Sequence, residues 1–228
     1  MNLFFQPNIP QGIFYLDREE SHHAVRVLRM DQGTPIDLTD GHGSFYKAII
    51  TNANAKQCEF KIEETTRIEK KNFSIHIAVA PTKNADRIEW FVEKATEIGI
   101  DEISFMLCQN SERKVINLER IEKIAVSAMK QSQQAWLPKI NGMIPYKNIL
   151  ANSADQKFIA FVDSANQKLL KSAAIPQKKY LVLIGPEGDF SKEELEQALQ
   201  NDFVKVSLGQ NRLRTETAAL MACVQLNW

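Results

Sequence analysis

Short runs of apolar residues, separated by turn residues, dominate the first part of the chain. Four of them have the length and side-chain content of strands: residues 12–16, 35–39, 44–51 and 58–63. The sequence Asp40-Gly-His-Gly43 favours a hairpin between the second and third runs, and residues 21–28 favour one short helix. This pattern predicts a small β-rich, barrel-like domain over residues 1–70, and the charged residues 63–71 are expected to form its exit and linker.

From Phe73 onward the pattern changes to alternating strands and helices. Nearly continuous apolar runs predict strands at residues 74–79, 103–106, 157–162, 180–184 and 204–208. Apolar residues at helical spacing predict helices over residues 86–98, 117–136, 191–199 and 216–226. Apolar strands that alternate with helices are typical of a parallel sheet covered on both faces. Residues 73–228 are therefore predicted to form an α/β domain.

Three local signals mark the ends of these helices. Gly99 is placed as the C-cap of the first one, and Pro138 is expected to end the second. Ser191 and Glu194 have the spacing of a capping box. The segment 185–190 therefore connects the end of a strand directly to the start of a helix.

Composition and charge narrow the class of protein. The 228 residues are 44% hydrophobic and 25% charged, as in ordinary globular proteins. No apolar run has the length of a membrane span, and the N-terminus lacks the features of a signal peptide. The three cysteines are widely spaced and odd in number, which argues against disulfides and favours a reducing cytoplasm. Neither the cysteines nor the four histidines have the spacing of metal ligands. Because 28 basic residues balance 28 acidic ones, nucleic-acid binding would depend on local clusters of charge.

Two glycine-containing loops follow predicted strands near the end of the chain. The first is Gly-Pro-Glu-Gly-Asp-Phe at residues 185–190, and the second, residues 207–214, contains Gly209, Arg212 and Arg214. In parallel sheets such loops lie at the edge where α/β proteins bind ligands. A single loop of this kind is also explained as a tight connection. Two successive loops, with paired arginines in the second, indicate a ligand site.

The first loop is unsuited to a phosphate. Neither of the common glycine-rich phosphate motifs is present, and Glu187 and Asp189 would repel an anion. The two carboxylates favour a ligand that offers amine or hydroxyl donors, such as a nucleoside, or one that carries positive charge.

The chain resembles the ribosomal RNA small subunit methyltransferase E family. The most specific motifs are Leu-Ile-Gly-Pro-Glu-Gly at 183–188, Phe190-Ser191, Leu208-Gly209 and Leu-Arg-Thr-Glu-Thr-Ala at 213–218. Further matches lie at 23–29, Asp40-Gly41, Lys83 with Arg87 and Glu89, 94–99, Gln131-Ser132 and Leu137-Pro138. These enzymes belong to the SPOUT superfamily and methylate N3 of a uridine in small-subunit ribosomal RNA, and the resemblance spans essentially the whole chain.

The resemblance implies a fold and a cofactor. It implies a PUA-like RNA-binding β-barrel over residues 1–70 and, over residues 73–228, a SPOUT domain with a parallel sheet and a trefoil knot. It further implies that the knot loops bind S-adenosyl-L-methionine, that a homodimer completes the site, and that the partner is small-subunit ribosomal RNA within the assembled subunit, in the cytoplasm, without a membrane or a metal. The implied cofactor-binding residues are Phe161, Leu183, Ile184, Gly185, Pro186, Glu187, Gly188, Leu208, Gly209, Gln210 and Leu213.

The proposed chemistry needs an arginine near the uracil. Uracil N3 carries a proton, and a guanidinium near O2 or O4 would stabilise the anion that forms when this proton leaves. Arg214 is the first candidate for this role and Arg212 the second, while Glu216 is expected to orient the arginine or accept the proton. The alternative is a salt bridge between Arg214 and Glu216 that only ties the loop to its helix.

A second set of cations is assigned to RNA. His23, Arg26 and Arg29 recur every three residues, which would place them on one helical face. Alone this pattern is typical of a solvated surface, but on a small barrel joined to a methyltransferase domain it favours contact with RNA phosphates. Three further residues extend the predicted basic track: Lys83, Arg87 and Arg113.

The sequence also departs from the family pattern. Asp189 stands where a glycine is more common, Asn211-Arg212 replaces an Arg-Ile pair, and the segment 131–134 lacks an arginine. Two other functions stay open: a SPOUT methyltransferase acting on transfer RNA, and a non-catalytic RNA-binding protein with a knotted scaffold. The β-rich first domain and the chain-wide resemblance favour ribosomal RNA, and the intact glycine loops with Arg214 favour catalysis.

Overall fold

A computed structural model describes residues 3–161 and 168–227 of the chain. Contacts divide it into two units. The first comprises the residues up to Lys70 together with Val126–Leu137, and the second comprises Lys71–Ala125 together with the residues from Pro138 onward. Each unit has its own sheet.

The first unit is built on a four-stranded sheet. Its strands, in spatial as well as chain order, are β1 (Leu3–Phe5), β2 (Pro35–Thr39), β3 (Ser44–Asn52) and β4 (Glu59–Arg67). β1 is parallel to β2, and the other two pairs are antiparallel. Buried side chains from these strands and from the segment before β2 form its core, among them Phe4, Leu16, Leu38 and Ile50. The predicted strands at 35–39 and 44–51 are confirmed.

The hairpin between β2 and β3 is organised by Asp40. Oδ1 of this buried carboxylate accepts hydrogen bonds from the backbone N–H groups of His42 (2.7 Å) and Ser44 (3.0 Å). Oδ2 accepts one from the Tyr46 hydroxyl at 3.0 Å. Burial opposes ionisation, but these hydrogen bonds outweigh it and lower the pKa of Asp40. The hairpin predicted from Asp40-Gly-His-Gly43 is confirmed.

Two predictions for the first unit are wrong. Residues 12–16 do not form a strand: they follow a 3₁₀ helix, Ile9–Gln11, and only Tyr15 makes an isolated bridge, to Glu59. β4 continues to Arg67, where a linker was expected, because β3 pairs with it along its whole length. The predicted helix at 21–28 begins earlier, as α1 (Arg18–His22), and continues as a π-helical turn, His23–Val27.

The second unit contains a six-stranded sheet in which every pairing is parallel. Its strands are β5 (Ser74–Val79), β6 (Glu102–Leu107), β7 (Lys139–Pro145), β8 (Gln156–Ala160), β9 (Lys179–Ile184) and β10 (Val204–Val206), in the spatial order β10-β8-β9-β5-β6-β7. The central strands are buried, as the apolar runs indicate. The predicted α/β class with a parallel sheet is confirmed.

In the described part of this unit, six helices follow or connect the strands. They are α2 (Ala85–Ile98), α3 (Leu118–Gln131), α4 (Tyr146–Leu150), α5 (Leu170–Ala173), α6 (Lys192–Gln200) and α7 (Thr215–Asn227). Gly99 is the C-cap of α2 in a left-handed conformation, and Ser191 with Glu194 forms the capping box of α6. Both local predictions are therefore confirmed.

The predicted end of α3 is wrong. The helix ends at Gln131 instead of residue 136, and Gln133 adopts a positive φ of 54°. Ala135 and Leu137 instead exchange backbone hydrogen bonds with Gly43 and Gly41 of the first unit's hairpin, to which this segment belongs by its contacts. β7, α4 and α5 were not predicted. The predicted strand 157–162 is observed as β8, and its last residue, Val162, lies outside the described residues.

Candidate active site

A cavity of about 940 Å³ opens at the carboxyl edge of the parallel sheet. It is lined by residues that follow three adjacent strands: Phe161 after β8, residues 185–187 and Asp189 after β9, and residues 207–214 after β10. Arg87 of α2 and the first turn of α7 complete it. Both glycine-containing loops singled out in the sequence therefore line the same cavity, at the edge where α/β sheets bind ligands.

The loop after β9 is braced by its neighbours. The Asn110 side-chain amide donates to the backbone carbonyl of Asp189 at 3.1 Å, and the backbone N–H of Gln109 donates to Oε1 of Glu194 at 2.8 Å. The loop itself turns through a 2.9 Å hydrogen bond from the N–H of Asp189 to the carbonyl of Pro186. These contacts hold the backbone of the loop in one shape at the wall of the cavity.

The loop after β10 is anchored at both of its ends. The Ser207 hydroxyl donates to the carbonyl of Gly209 at 2.8 Å, and the Gln225 side chain of α7 donates to the carbonyl of Leu208 at 3.0 Å. The hydroxyl of Thr215, the first residue of α7, donates to the carbonyl of Gly185 at 3.1 Å. This last bond ties the start of α7, directly after the second loop, to the first loop.

Most of the expected cofactor-binding residues line the cavity. The lining includes Phe161, Ile184, Gly185, Pro186, Glu187, Leu208, Gly209, Gln210 and Leu213. It does not include Leu183, which packs in the core, or Gly188, where an added side chain would face Asn110. Asp189 and Arg87 also line the cavity but were not among the expected cofactor-binding residues. The alternation of side chains along β9 could have excluded Leu183, because its neighbour Ile184 faces the cavity.

The two loop arginines face the cavity, and Glu216 does not. Arg212 and Arg214 are both exposed and both line the cavity. Glu216 is buried and is paired with Arg87, whose Nε lies 3.8 Å from its Oε1. Within the described residues, no ion pair joins Arg214 to Glu216. The alternative of a purely structural salt bridge between them is therefore wrong. Arg214 is thereby available to a ligand.

The predicted RNA-binding residues of the second unit differ in their surroundings. Lys83 is exposed, and its Nζ lies 3.1 Å from a carboxylate oxygen of Glu112. Nε of Arg113 donates to the backbone carbonyls of Thr82 (3.0 Å) and Lys83 (3.2 Å). Arg113 therefore stabilises the turn between β5 and α2, and Arg87 belongs to the cavity.

The predicted RNA-binding residues of the first unit are all exposed. His23 and Arg26 lie in the π-helical turn, and Arg29 follows it with a left-handed φ of 56°. The expectation that the three share one α-helical face is wrong, because the helix changes its hydrogen-bonding pattern at His23 and ends before Arg29.

Other reactive groups near this edge are held in their neutral form. Burial raises the pKa of the Cys108 thiol and of the Tyr146 hydroxyl, and the latter donates to the backbone carbonyl of Glu194 at 2.6 Å. Neither group is therefore an activated nucleophile. Among the residues that the structure describes there is no cluster of potential metal ligands, and no helix there is both long and apolar enough to span a membrane.

Comparison with known proteins gives matches along nearly the whole chain. Residues 69–227 match the RNA methyltransferase domain family, and residues 16–63 match the RNA methyltransferase PUA domain family. Ribosomal RNA small subunit methyltransferase E of Mesomycoplasma hyopneumoniae is 32% identical, with 96% of each chain covered. The protein of the same name from Bacillus subtilis is 28% identical, over 94% of this chain and 90% of its own length.

Solved structures agree with these matches. A probable rRNA-methyltransferase from Porphyromonas gingivalis is 44% identical and superposes with a TM-score of 0.91, covering 98% of this chain and 96% of its own. A methyltransferase structure from Legionella pneumophila, in complex with S-adenosylmethionine, is 25% identical with a TM-score of 0.88, covering 99% of this chain and 96% of its own. With its PUA-like first domain and its α/β second domain, the chain belongs to the ribosomal RNA small subunit methyltransferase E family of RNA methyltransferases.

Proposed function

We propose that this protein transfers a methyl group from S-adenosyl-L-methionine to N3 of a specific uridine in small-subunit ribosomal RNA. Family membership makes the chain a ribosomal RNA methyltransferase. The finer part of the proposal, the uridine N3 position, follows the resemblance of the motifs at 183–188 and 213–218. The observation that carries it is that Arg214 lines the cavity while Glu216 is paired with Arg87.

The cavity suits S-adenosyl-L-methionine. Its volume of about 940 Å³ lies within the range of small-molecule sites, roughly 300–1,000 Å³. Residues of both glycine loops form much of its wall. Among them, Glu187 and Asp189 add negative charge, which suits a ligand that carries a sulfonium and an ammonium group. The Legionella relative that binds this cofactor has the same fold.

Bound S-adenosyl-L-methionine would supply a methyl group that is already activated for transfer. The residues of this chain then have two tasks, to align the uracil and to make its N3 nucleophilic. Arg214 is proposed to hold O2 or O4 of the uracil and to stabilise the anion left when the N3 proton passes to water. Arg212, which lines the same cavity, is the second candidate.

The remaining parts of the proposal concern RNA and assembly. His23, Arg26 and Arg29 are proposed to contact RNA phosphates from the PUA-like domain, since all three are exposed and two are permanent cations. Lys83 is proposed to add a further phosphate contact. A trefoil knot in the second domain and a homodimer that completes the site are likewise proposed from the family resemblance.

Mass spectrometry of ribosomal RNA tests the function. A strain that lacks the protein should lose one N3-methyluridine from its small-subunit RNA, while its transfer RNA stays unchanged. The wild-type gene should restore the modification. An Arg214→Ala gene should restore less than about one hundredth of the wild-type initial rate of methylation, which is the loss expected when one oxyanion donor is removed. Lys178→Ala, which removes an exposed cation beside the opposite end of β9, is the control and should restore it fully.

The outcome can contradict the proposal at two levels. An unchanged set of methylated nucleotides in ribosomal RNA would refute the reaction. A lost modification other than N3-methyluridine would leave a methyltransferase but refute the chemistry assigned to Arg214.

A further inference from the structure

The ion pair between Arg87 and Glu216 is incomplete in this structure. Glu216 is only 7% exposed, and its Oε1 lies 3.8 Å from Nε of Arg87, which is too long for a hydrogen bond. Its other oxygen, Oε2, is buried and has no hydrogen-bond partner among the described residues. Buried carboxylates are normally paired and fully hydrogen-bonded, because an unfilled acceptor there is costly. The pair therefore has capacity for a closer contact.

Arg87 connects this buried carboxylate to the cavity. It lies in the first turn of α2 and lines the cavity, and its side chain is 38% exposed. A guanidinium has five N–H donors in a rigid fork. With Nε next to Glu216, the two terminal nitrogens are the donors left for a ligand.

We propose that Arg87 binds an oxyanion in the cavity and that Glu216 is its positioning residue. The inference rests on the proposed function, because the reaction brings two such groups to this edge: an RNA phosphate next to the target nucleotide, and the carboxylate of S-adenosyl-L-methionine. Both accept two parallel hydrogen bonds from an arginine. A shift of about 1 Å would bring Nε and Oε1 to the distance of a charge-assisted hydrogen bond and fix the fork.

This assignment changes the role of Glu216. Its carboxylate is buried and is not part of the cavity wall, so it does not face a ligand held in the cavity. Within the described part of the chain its ion pair is with Arg87, which lies on a different helix from the loop arginines. Its effect on the reaction is therefore expected to pass through Arg87.

A double-mutant cycle tests the pair. Arg87→Ala, Glu216→Gln and the double variant are compared with wild type in two binding titrations, one with S-adenosyl-L-methionine alone and one with an unmodified small-subunit ribosomal RNA transcript at several salt concentrations. Arg87→Ala should lower the affinity for one of these ligands by about tenfold or more. Glu216→Gln should weaken the same ligand, and the double variant should be no weaker than Arg87→Ala, because Glu216 acts through Arg87.

The two titrations separate the two sources of the oxyanion. Loss of cofactor affinity with unchanged RNA binding identifies the carboxylate. Loss of RNA affinity identifies a phosphate if the slope of log affinity against log salt concentration also falls by about one.

Thermal unfolding separates binding from stability. Arg87→Ala leaves Glu216 buried without its cation and should lower Tm, and adding Glu216→Gln should recover Tm without recovering affinity. Arg120→Ala is the matched control. It removes another arginine paired with a glutamate of α2, Glu89 at 2.6 Å, outside the cavity lining, and should leave both affinities unchanged.

Three outcomes would overturn the inference while leaving the proposed function intact. They are wild-type affinities in Arg87→Ala, additive losses in the double variant, or a Glu216→Gln variant with normal binding whose turnover is lost and whose pH profile is altered. The last would assign Glu216 to proton transfer. Failure of the wild-type protein to bind the cofactor would instead contradict the proposed function itself.

Discussion

Gly185 lies where the chain leaves β9, and its missing side chain leaves room for a buried ring. A Cβ at this position would lie 3.1 Å from both Cδ2 and Cε2 of Phe190 and 3.4 Å from Oδ1 of Asp189. Phe190 is 5% exposed and packs in the core on one side of the sheet. The ring could yield only by disturbing that packing or the loop that lines the cavity.

Gly185→Ala is therefore expected to act on both stability and the site. It should lower the free energy of unfolding by about 1–3 kcal/mol, as overpacking does, and weaken the binding of S-adenosyl-L-methionine. Gly142→Ala in β7 is the comparison, since an added Cβ there meets only Leu118, at 3.9 Å. Urea unfolding and calorimetric titration measure the two effects. An alanine variant at 185 with unchanged stability and affinity would show that the loop tolerates a side chain.

At the scale of single residues, the sequence predicted which residues line the site better than it predicted which of them form ion pairs. Arg212, Arg214 and most of the expected cofactor-binding residues line one cavity, because they follow strands of one parallel sheet. The pairing of Glu216 with Arg87 was not predicted. It depends on α2 and α7 packing side by side, and neither a periodic pattern nor a local motif contains that information.

At the scale of elements, helix ends that depend on neighbouring residues were predicted correctly, whereas an end that depends on tertiary contacts was not. The cap at Gly99 and the capping box at Ser191 were predicted because each depends on residues within one turn. The end of α3 was not, because it is set by contacts with the hairpin of the first unit. β7 was missed because Asn141-Gly142 within it resembles a turn, yet the strand lies at the edge of the sheet, where such residues are tolerated.

The Asp40 hairpin provides a prediction about pH. The folded state lowers the pKa of Asp40, so the unfolded chain binds more protons than the folded one near that pKa. The stabilisation is therefore fully present above the ordinary aspartate pKa of about 3.9 and is lost as the pH falls through the lower folded value. Asp40→Asn should reduce stability by about 1–3 kcal/mol at neutral pH, and the difference from wild type should shrink in acid.

Denaturant unfolding at a series of pH values measures this difference. Asp37→Asn is the control, because this residue lies on the same strand, β2, but is only partly buried. A constant difference between wild type and Asp40→Asn down to the lowest pH would show that the charge of Asp40 is not what stabilises the hairpin.

At the scale of the whole molecule, the net charge of zero gave no indication of an RNA partner. The family motifs did, and they lie in both units, from residue 23 to residue 218. The order of the strands, β10-β8-β9-β5-β6-β7, was beyond the reach of pattern analysis, because it is decided by which apolar strands fit side by side in the folded chain.

The last helix carries the prediction about assembly. α7 is apolar on several sides: Ala219, Ala222 and Cys223 are fully buried, whereas Leu220, Met221 and Val224 keep part of their surface exposed within one chain. An apolar helix of this kind is normally covered all round. We therefore expect a second copy of the chain to cover the residual apolar surface.

Light scattering should accordingly show a dimer for the wild-type protein, and Val224→Glu should shift the equilibrium to monomers by placing a charge in the interface. The variant should also lose affinity for S-adenosyl-L-methionine, because the second chain is proposed to complete the site. Val115→Glu is the control, since Val115 is 73% exposed and lies outside α7, and it should stay dimeric with unchanged Tm. A stable wild-type monomer that binds the cofactor would show that one chain holds the whole site and that the exposed side chains of α7 have another purpose.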